Sequence, residues 1–123
     1  MLNKIESLLR FLGGHGQYRG FRQAAIALLL ILEDPERMYA IGESIYAEVA
    51  KRCHCNPKCI ERNIRTVIHR AWRTNKKRLC ALAGYELTAE PSVSEFLDLL
   101  AAELRRRENE ERPPALTGTW RDY

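Results

Sequence analysis

Apolar residues recur along this chain at intervals of three and four, and no segment alternates like a strand. Leu2, Ile5, Leu8, Leu9 and Leu12 follow one helical face, and Gly13-Gly14 interrupts it. Residues 13–20 read as a Gly-rich connector. No strand precedes it, and no Lys-Ser or Lys-Thr pair follows to complete a phosphate cradle. Phe21, Ala24, Ala25, Leu28, Leu29 and Leu32 predict a second helix. It stops near Asp34-Pro35, because proline disfavours helix at the residue before it. Met38, Ile41, Ile45, Tyr46, Val49 and Ala50 predict a third helix that runs out around Cys53.

Asn56-Pro57 then supplies an N-cap followed by proline at the first helical position. The helix it opens carries Ile60, Ile64, Val67, Ile68 and Ala71 on its apolar face and ends or bends at Thr74-Asn75. Leu79, Leu82 and Ala83 predict a short helix closed by Gly84, and residues 85–91 a loop. Ser92-Val93-Ser94-Glu95 fits a capping box, ahead of a last helix carrying Phe96, Leu97, Leu99, Leu100 and Leu104. From Arg105 the chain turns charged and then Pro-rich. Residues 1–107 are therefore expected to form one helical domain and 108–123 a disordered tail. The fold expected is all-α, with about six helices that include a helix-turn-helix.

Composition narrows the classes. The 123 residues make one domain, and 46% of them are apolar, enough for one ordinary core. No apolar run approaches the roughly 20 residues that span a bilayer. The apolar N-terminus lacks the basic cluster and small-residue cleavage site of a signal peptide. The expectation is a cytoplasmic protein with reduced thiols and no membrane partner.

Charge changes the picture most. Residues 57–78 hold eight Lys/Arg and one Glu, formally +7, in a chain of +4, so the remainder carries −3. A concentrated basic face on a helix is the electrostatic footprint of a polyanion binder. At about 100° per residue, Lys58, Glu61, Arg62, Arg65 and His69 share an arc of roughly 100°, apart from the apolar arc. A helix of about 41–52, a short turn and the helix from 57 suit a helix-turn-helix whose second helix reads a groove. Arginine can donate two hydrogen bonds to guanine and glutamate can accept from cytosine, so Glu61, Arg62 and Arg65 are the base-reading candidates. Asn56, Lys58, Thr66, His69, Arg73, Lys76, Lys77 and Arg78 are the candidates for phosphate or flanking contacts, which position the protein without specifying sequence.

Other chemistry is thinner. Cys53, Cys55 and Cys59, with His54 or His69 nearby, suggest a metal or oxidant-sensing cluster, but the one-residue gap strains a tetrahedral zinc site. Buried or half-buried thiols are the simpler expectation, with Cys80 in the core. His15 lacks a paired acid or nucleophile, and Trp72 follows the apolar face. No nucleophile–base pair or paired carboxylates stand out. The expectation is a non-enzyme without catalytic residues, metal or cofactor.

The stretches Ile60 to Arg65 (IERNIR), Ala71-Trp72, Glu48 to Arg52 (EVAKR), Gly84-Tyr85 and Pro91 to Phe96 (PSVSEF) carry a resemblance. In order and spacing they resemble the family of C-terminal effector domains of the sporulation master regulator, stage 0 sporulation protein A, from about residue 12 to 107. The resemblance implies a six-helix DNA-binding transcription factor in which Glu61, Arg62 and Arg65 contact DNA. It also implies a short box with a TCGA-like core, often bound by a head-to-tail homodimer on tandem boxes, and the transcription machinery as a partner. Two positions depart: Thr66 stands where the family often has His, and Lys58 where a small polar residue is common. Family members also carry an N-terminal phosphoacceptor receiver domain, which this sequence does not contain. It reads as an excised domain or a stand-alone effector without phosphorylation control of dimerisation. The competing expectation is an interaction or decoy subunit that modulates a full-length regulator. Such a subunit need not keep Glu61, Arg62 and Arg65, and this chain keeps all three.

Overall fold

A computed structural model describes residues 1–14 and 19–111. Among them are six α-helices and no strand: α1 (Leu2–Phe11), α2 (Arg19–Glu33), α3 (Ala47–Cys53), α4 (Pro57–Thr74), α5 (Lys76–Ala83) and α6 (Val93–Glu111). A 3-10 helix (Pro35–Ala40) and a π-helix (Ile41–Tyr46) join α2 to α3.

The apolar stripes become one core. Ile5, Leu8, Leu9, Leu28, Ile31, Ile45, Ile60, Ile64, Ile68, Phe96, Leu97 and Leu100 are essentially sealed from water. Each sealed aliphatic or aromatic side chain contributes about 1.5–3 kcal/mol relative to exposure.

The helix ends follow local chemistry. Gly13, at φ 99°, donates its N–H to the Arg10 carbonyl, and Gly14 donates to that of Leu9, both at 2.9 Å. This double return satisfies carbonyls that the end of α1 would leave unpaired. Gly84, at φ 83°, closes α5. At α6 the expected capping box is present: Glu95 accepts from the Ser92 N–H at 3.0 Å, and Ser92 Oγ accepts from the Glu95 N–H at 3.2 Å.

Three expectations need correction. The segment 38–53 is not one α-helix but 3-10, π and α turns in succession. Asp34 caps the 3-10 turn by accepting from the Glu36 N–H, and Pro35 starts it. The Arg37 guanidinium donates to the Ser44 carbonyl, tying the 3-10 turn to the π turn. Apolar residues three to five apart serve all three helix types, so their spacing does not separate them.

Gly20 belongs to α2, not to the connector. A Cβ there would lie 2.3 Å from the Asn63 carbonyl oxygen and 2.8 Å from Val67 Cγ2, so glycine lets α2 cross α4 closely. Finally, α6 continues past the expected boundary at 107 to Glu111. Glu103 accepts from both Arg106 and Arg107, and Arg106 also pairs with Glu110. These pairs at i+3 and i+4 support helix where apolar periodicity has ended. The rest of the expected tail, 112–123, and His15 lie outside the described residues.

Candidate nucleic-acid interface

The turn before α4 is built from two end signals placed back to back. His54 takes the left-handed conformation at φ 55°, and the Cys55 N–H returns to the Ala50 carbonyl at 3.0 Å, which ends α3. Asn56 is extended and accepts from the Lys58 N–H at 2.9 Å, which starts α4. Asn56 Oδ1, a candidate flanking contact, is thus engaged as the cap. A part-buried polar chain holds the same corner: Asn63 Nδ2 donates to Gln23 Oε1 at 3.0 Å, and Gln23 Nε2 to Cys55 Sγ at 3.8 Å. The turn is therefore fixed against α2 as well as joined to its two helices.

With Ile60, Ile64, Val67, Ile68 and Ala71 buried, α4 presents its other face outward. Arg62, Arg65, Thr66, His69 and Arg73 are exposed, and Glu61 is half-buried. Glu61 and Arg65 pair at 3.2 Å, one helical turn apart. Such exposed pairs contribute only about 0.2–0.5 kcal/mol, so the pair orients both side chains and yields readily to a stronger partner. Arg62 Nη2 donates to Cys59 Sγ at 3.7 Å. The three base-reading candidates therefore share one solvent-facing strip, each with a local partner.

The flanking candidates divide. Lys58, Arg73 and Lys77 extend into solvent. Thr66 Oγ1 donates back to the Arg62 carbonyl at 3.2 Å. The Lys76 ammonium sits 4.6 Å from the centre of the Trp72 ring, and Trp72 packs at the core edge. Arg78 turns away from α4: it donates to the Phe11 carbonyl at 2.8 Å and lies over the Phe11 ring. Asn75 Nδ2 reinforces that joint by donating to the Leu12 carbonyl at 3.1 Å. Arg78 therefore braces the end of α1.

Three neighbours of this face have no signal in the sequence. Glu90, in the loop before α6, pairs with His69 Nδ1 at 2.9 Å, across 21 positions of chain. Glu90, Pro91, Ser92, Val93 and Glu95 line an open groove of about 310 Å³ beside Arg65. Tyr46 lies within electrostatic reach of Glu61 and Arg65; burial, then Glu61, pushes its phenol up, so it stays a neutral donor at physiological pH. Arg19, exposed at the start of α2, acts electrostatically on Cys55 and so adds a cation beside the turn. Arg19 is invisible to pattern reading because it falls in the Gly-rich stretch.

The thiols are free and half-buried, Cys80 included; Cys80 Sγ accepts from the Leu87 N–H at 3.4 Å rather than sitting sealed in the core. Among the described residues no helix is long and apolar enough to cross a membrane.

The family described as sporulation initiation factor Spo0A C terminal matches residues 5–104, from the core face of α1 to the last sealed leucine of α6. The chain belongs to that family of all-α, DNA-binding effector domains of sporulation response regulators.

Proposed function

We propose that the chain is a sequence-specific regulator of transcription that lays α4 in the major groove of double-stranded DNA. The observation that carries this reading is the outward-facing strip of exposed Arg62 and Arg65 with half-buried Glu61, backed by the buried Ile60, Ile64 and Ile68. An α-helix fits the major groove, where donor and acceptor patterns distinguish all four base pairs. Arg62 and Arg65 suit guanine O6 and N7, and Glu61 suits cytosine N4, which together read a C·G-containing box such as TCGA. Lys58, Arg73 and Lys77 grip phosphates on either side, and Lys76 and Arg78 add positive field. His69 reaches a flanking contact by exchanging Glu90 for the nucleic acid. Thr66, exposed on α4, and Asn56, at its N-cap, add flanking contacts. The cell compartment of such a regulator is the cytoplasm, its assembly a homodimer on tandem boxes, and its further partner the transcription machinery.

The test is selection of bound duplexes from a random pool, followed by affinity measurement at physiological salt. An enriched motif containing the TCGA-like core is expected. Equal affinity for that box and a scrambled duplex of the same length would remove sequence specificity from the reading.

A further inference from the structure

Three thiols surround the turn that positions α4, and the family reading uses none of them. Cys53 ends α3, Cys55 lies in the turn, and Cys59 lies in the first turn of α4. All three are half-buried and in no disulfide. No group of three or more His, Cys, Asp and Glu among the described residues is arranged to hold a metal ion.

Two of the sulfurs are wired into the interface. Cys59 Sγ accepts from Arg62, a base-reading candidate. Cys55 Sγ accepts from Gln23, which in turn holds Asn63 of α4. The chemical state of Cys59 therefore bears on where Arg62 rests, and that of Cys55 on how the turn is anchored. Burial, then the neighbouring thiols Cys53 and Cys59, push the Cys55 thiol up, so it remains protonated near neutrality.

We propose that Cys55 and Cys59 form a peroxide-sensitive modification site that weakens DNA binding when oxidised; this rests on the DNA-reading role of α4. Cys59 is the attacking thiol because it is half-exposed beside a guanidinium, whereas Cys55 is held in the turn as the resolving thiol. Cys59 sulfur attacks one oxygen of hydrogen peroxide; the O–O bond breaks, Cys59 becomes a sulfenic acid, and the other oxygen leaves as water. Cys55 sulfur then attacks the Cys59 sulfur. The S–S bond forms, the S–O bond breaks, and the hydroxyl leaves as a second water with the Cys55 proton. Two thiols are oxidised and one peroxide is reduced to two waters. The disulfide ties the turn residue before the Asn56 cap to the first turn of α4. It removes the thiol that Arg62 donates to and perturbs the contact from Gln23.

The experiment exposes the intact chain to graded hydrogen peroxide. It reads non-reducing peptide maps by mass spectrometry and affinity for the selected duplex in parallel. The expected result is an intramolecular Cys55–Cys59 disulfide. Affinity should fall about tenfold, the loss of roughly one base-reading arginine, and return with dithiothreitol. Cys59→Ser and Cys55→Ala should each abolish both effects with helix content intact by circular dichroism, and Cys80→Ser should respond like the parent chain. Thiols that stay reduced, a bond joining other cysteines or two chains, or a Cys55–Cys59 bond without loss of affinity would each overturn the proposal. A reduced chain that binds no duplex counts against the DNA reading instead, and the peptide map then judges the thiol pair alone.

Discussion

Arg62 and Arg65 occupy one strip of α4, yet each is held differently before any DNA arrives. Arg65 gives up an exposed pair with Glu61, whereas Arg62 gives up a weak contact with a thiol. Neither loss is large, so in the proposed complex a bidentate bond to guanine would dominate both balances. Arg62→Ala or Arg65→Ala should each cost about 1–3 kcal/mol in binding the selected box and relax preference at one base position, as read by competition with single-base variants. His54 ends α3 in the left-handed conformation. Its left-handed backbone costs an L residue about 1–2 kcal/mol that glycine avoids, partly offset by glycine's greater freedom when unfolded. His54→Gly should therefore raise unfolding free energy by about 0.5–1 kcal/mol in urea titrations without altering DNA affinity. A loss of stability there would show that the imidazole makes a contact worth more than the backbone strain.

Between elements, the crossing of α2 and α4 decides where α4 points. Gly20→Ala would drive a methyl group into the Asn63 carbonyl and Val67, which are backbone and sealed core rather than a yielding side-chain tip. Overpacking of this kind costs about 1–3 kcal/mol, and the helices must part to relieve it. Urea unfolding should show that loss, and DNA affinity should fall with it even though no contact to DNA is touched. The same crossing shows what the sequence makes legible. The stripe Ile60, Ile64, Val67, Ile68, Ala71 and the caps Asn56, Gly84 and Ser92 are local signals, readable from neighbours a few positions away. Gly20, Glu90 and Tyr46 matter through partners 15 or more positions off (Asn63, His69 and Glu61), and no local pattern records such pairings. The 3-10 and π turns escape for a different reason: their apolar spacing overlaps that of an α-helix. The extra length of α6 escapes because ion pairs, not apolar periodicity, carry it.

At the largest scale, two dense clusters of charge stand out among the described residues. One is the acid-and-base end of α6. Hydrogen bonding from Arg106 first, then from Arg107, holds the Glu103 carboxyl below its ordinary range, against the opposing effect of burial. A depressed folded pKa contributes stability above the unfolded value of about 4.3 and loses it as pH falls through the folded value. Glu103→Gln should thus cost about 1 kcal/mol at pH 7, both arginines being half in water, and that difference should vanish in urea midpoints taken toward pH 3. The other is the segment 57–78, and its cations do not act alike on a polyanion. Lys58, Arg73 and Lys77 are free to take up phosphates, while Arg78 is bound to the end of α1. Each phosphate neutralised lowers the slope of log affinity against log salt by about 0.9. Lys77→Ala should weaken all duplexes about equally and make that slope shallower by about one. Arg78→Ala should hardly move the slope, because its guanidinium serves the Phe11 carbonyl and ring. It should instead lower stability by about 1–3 kcal/mol as the charged hydrogen bond and the ring contact are lost. A steep change of slope in Arg78→Ala with stability intact would mean that the arginine leaves Phe11 to reach a phosphate. Segment 76–78 would then belong to the interface more than to the frame.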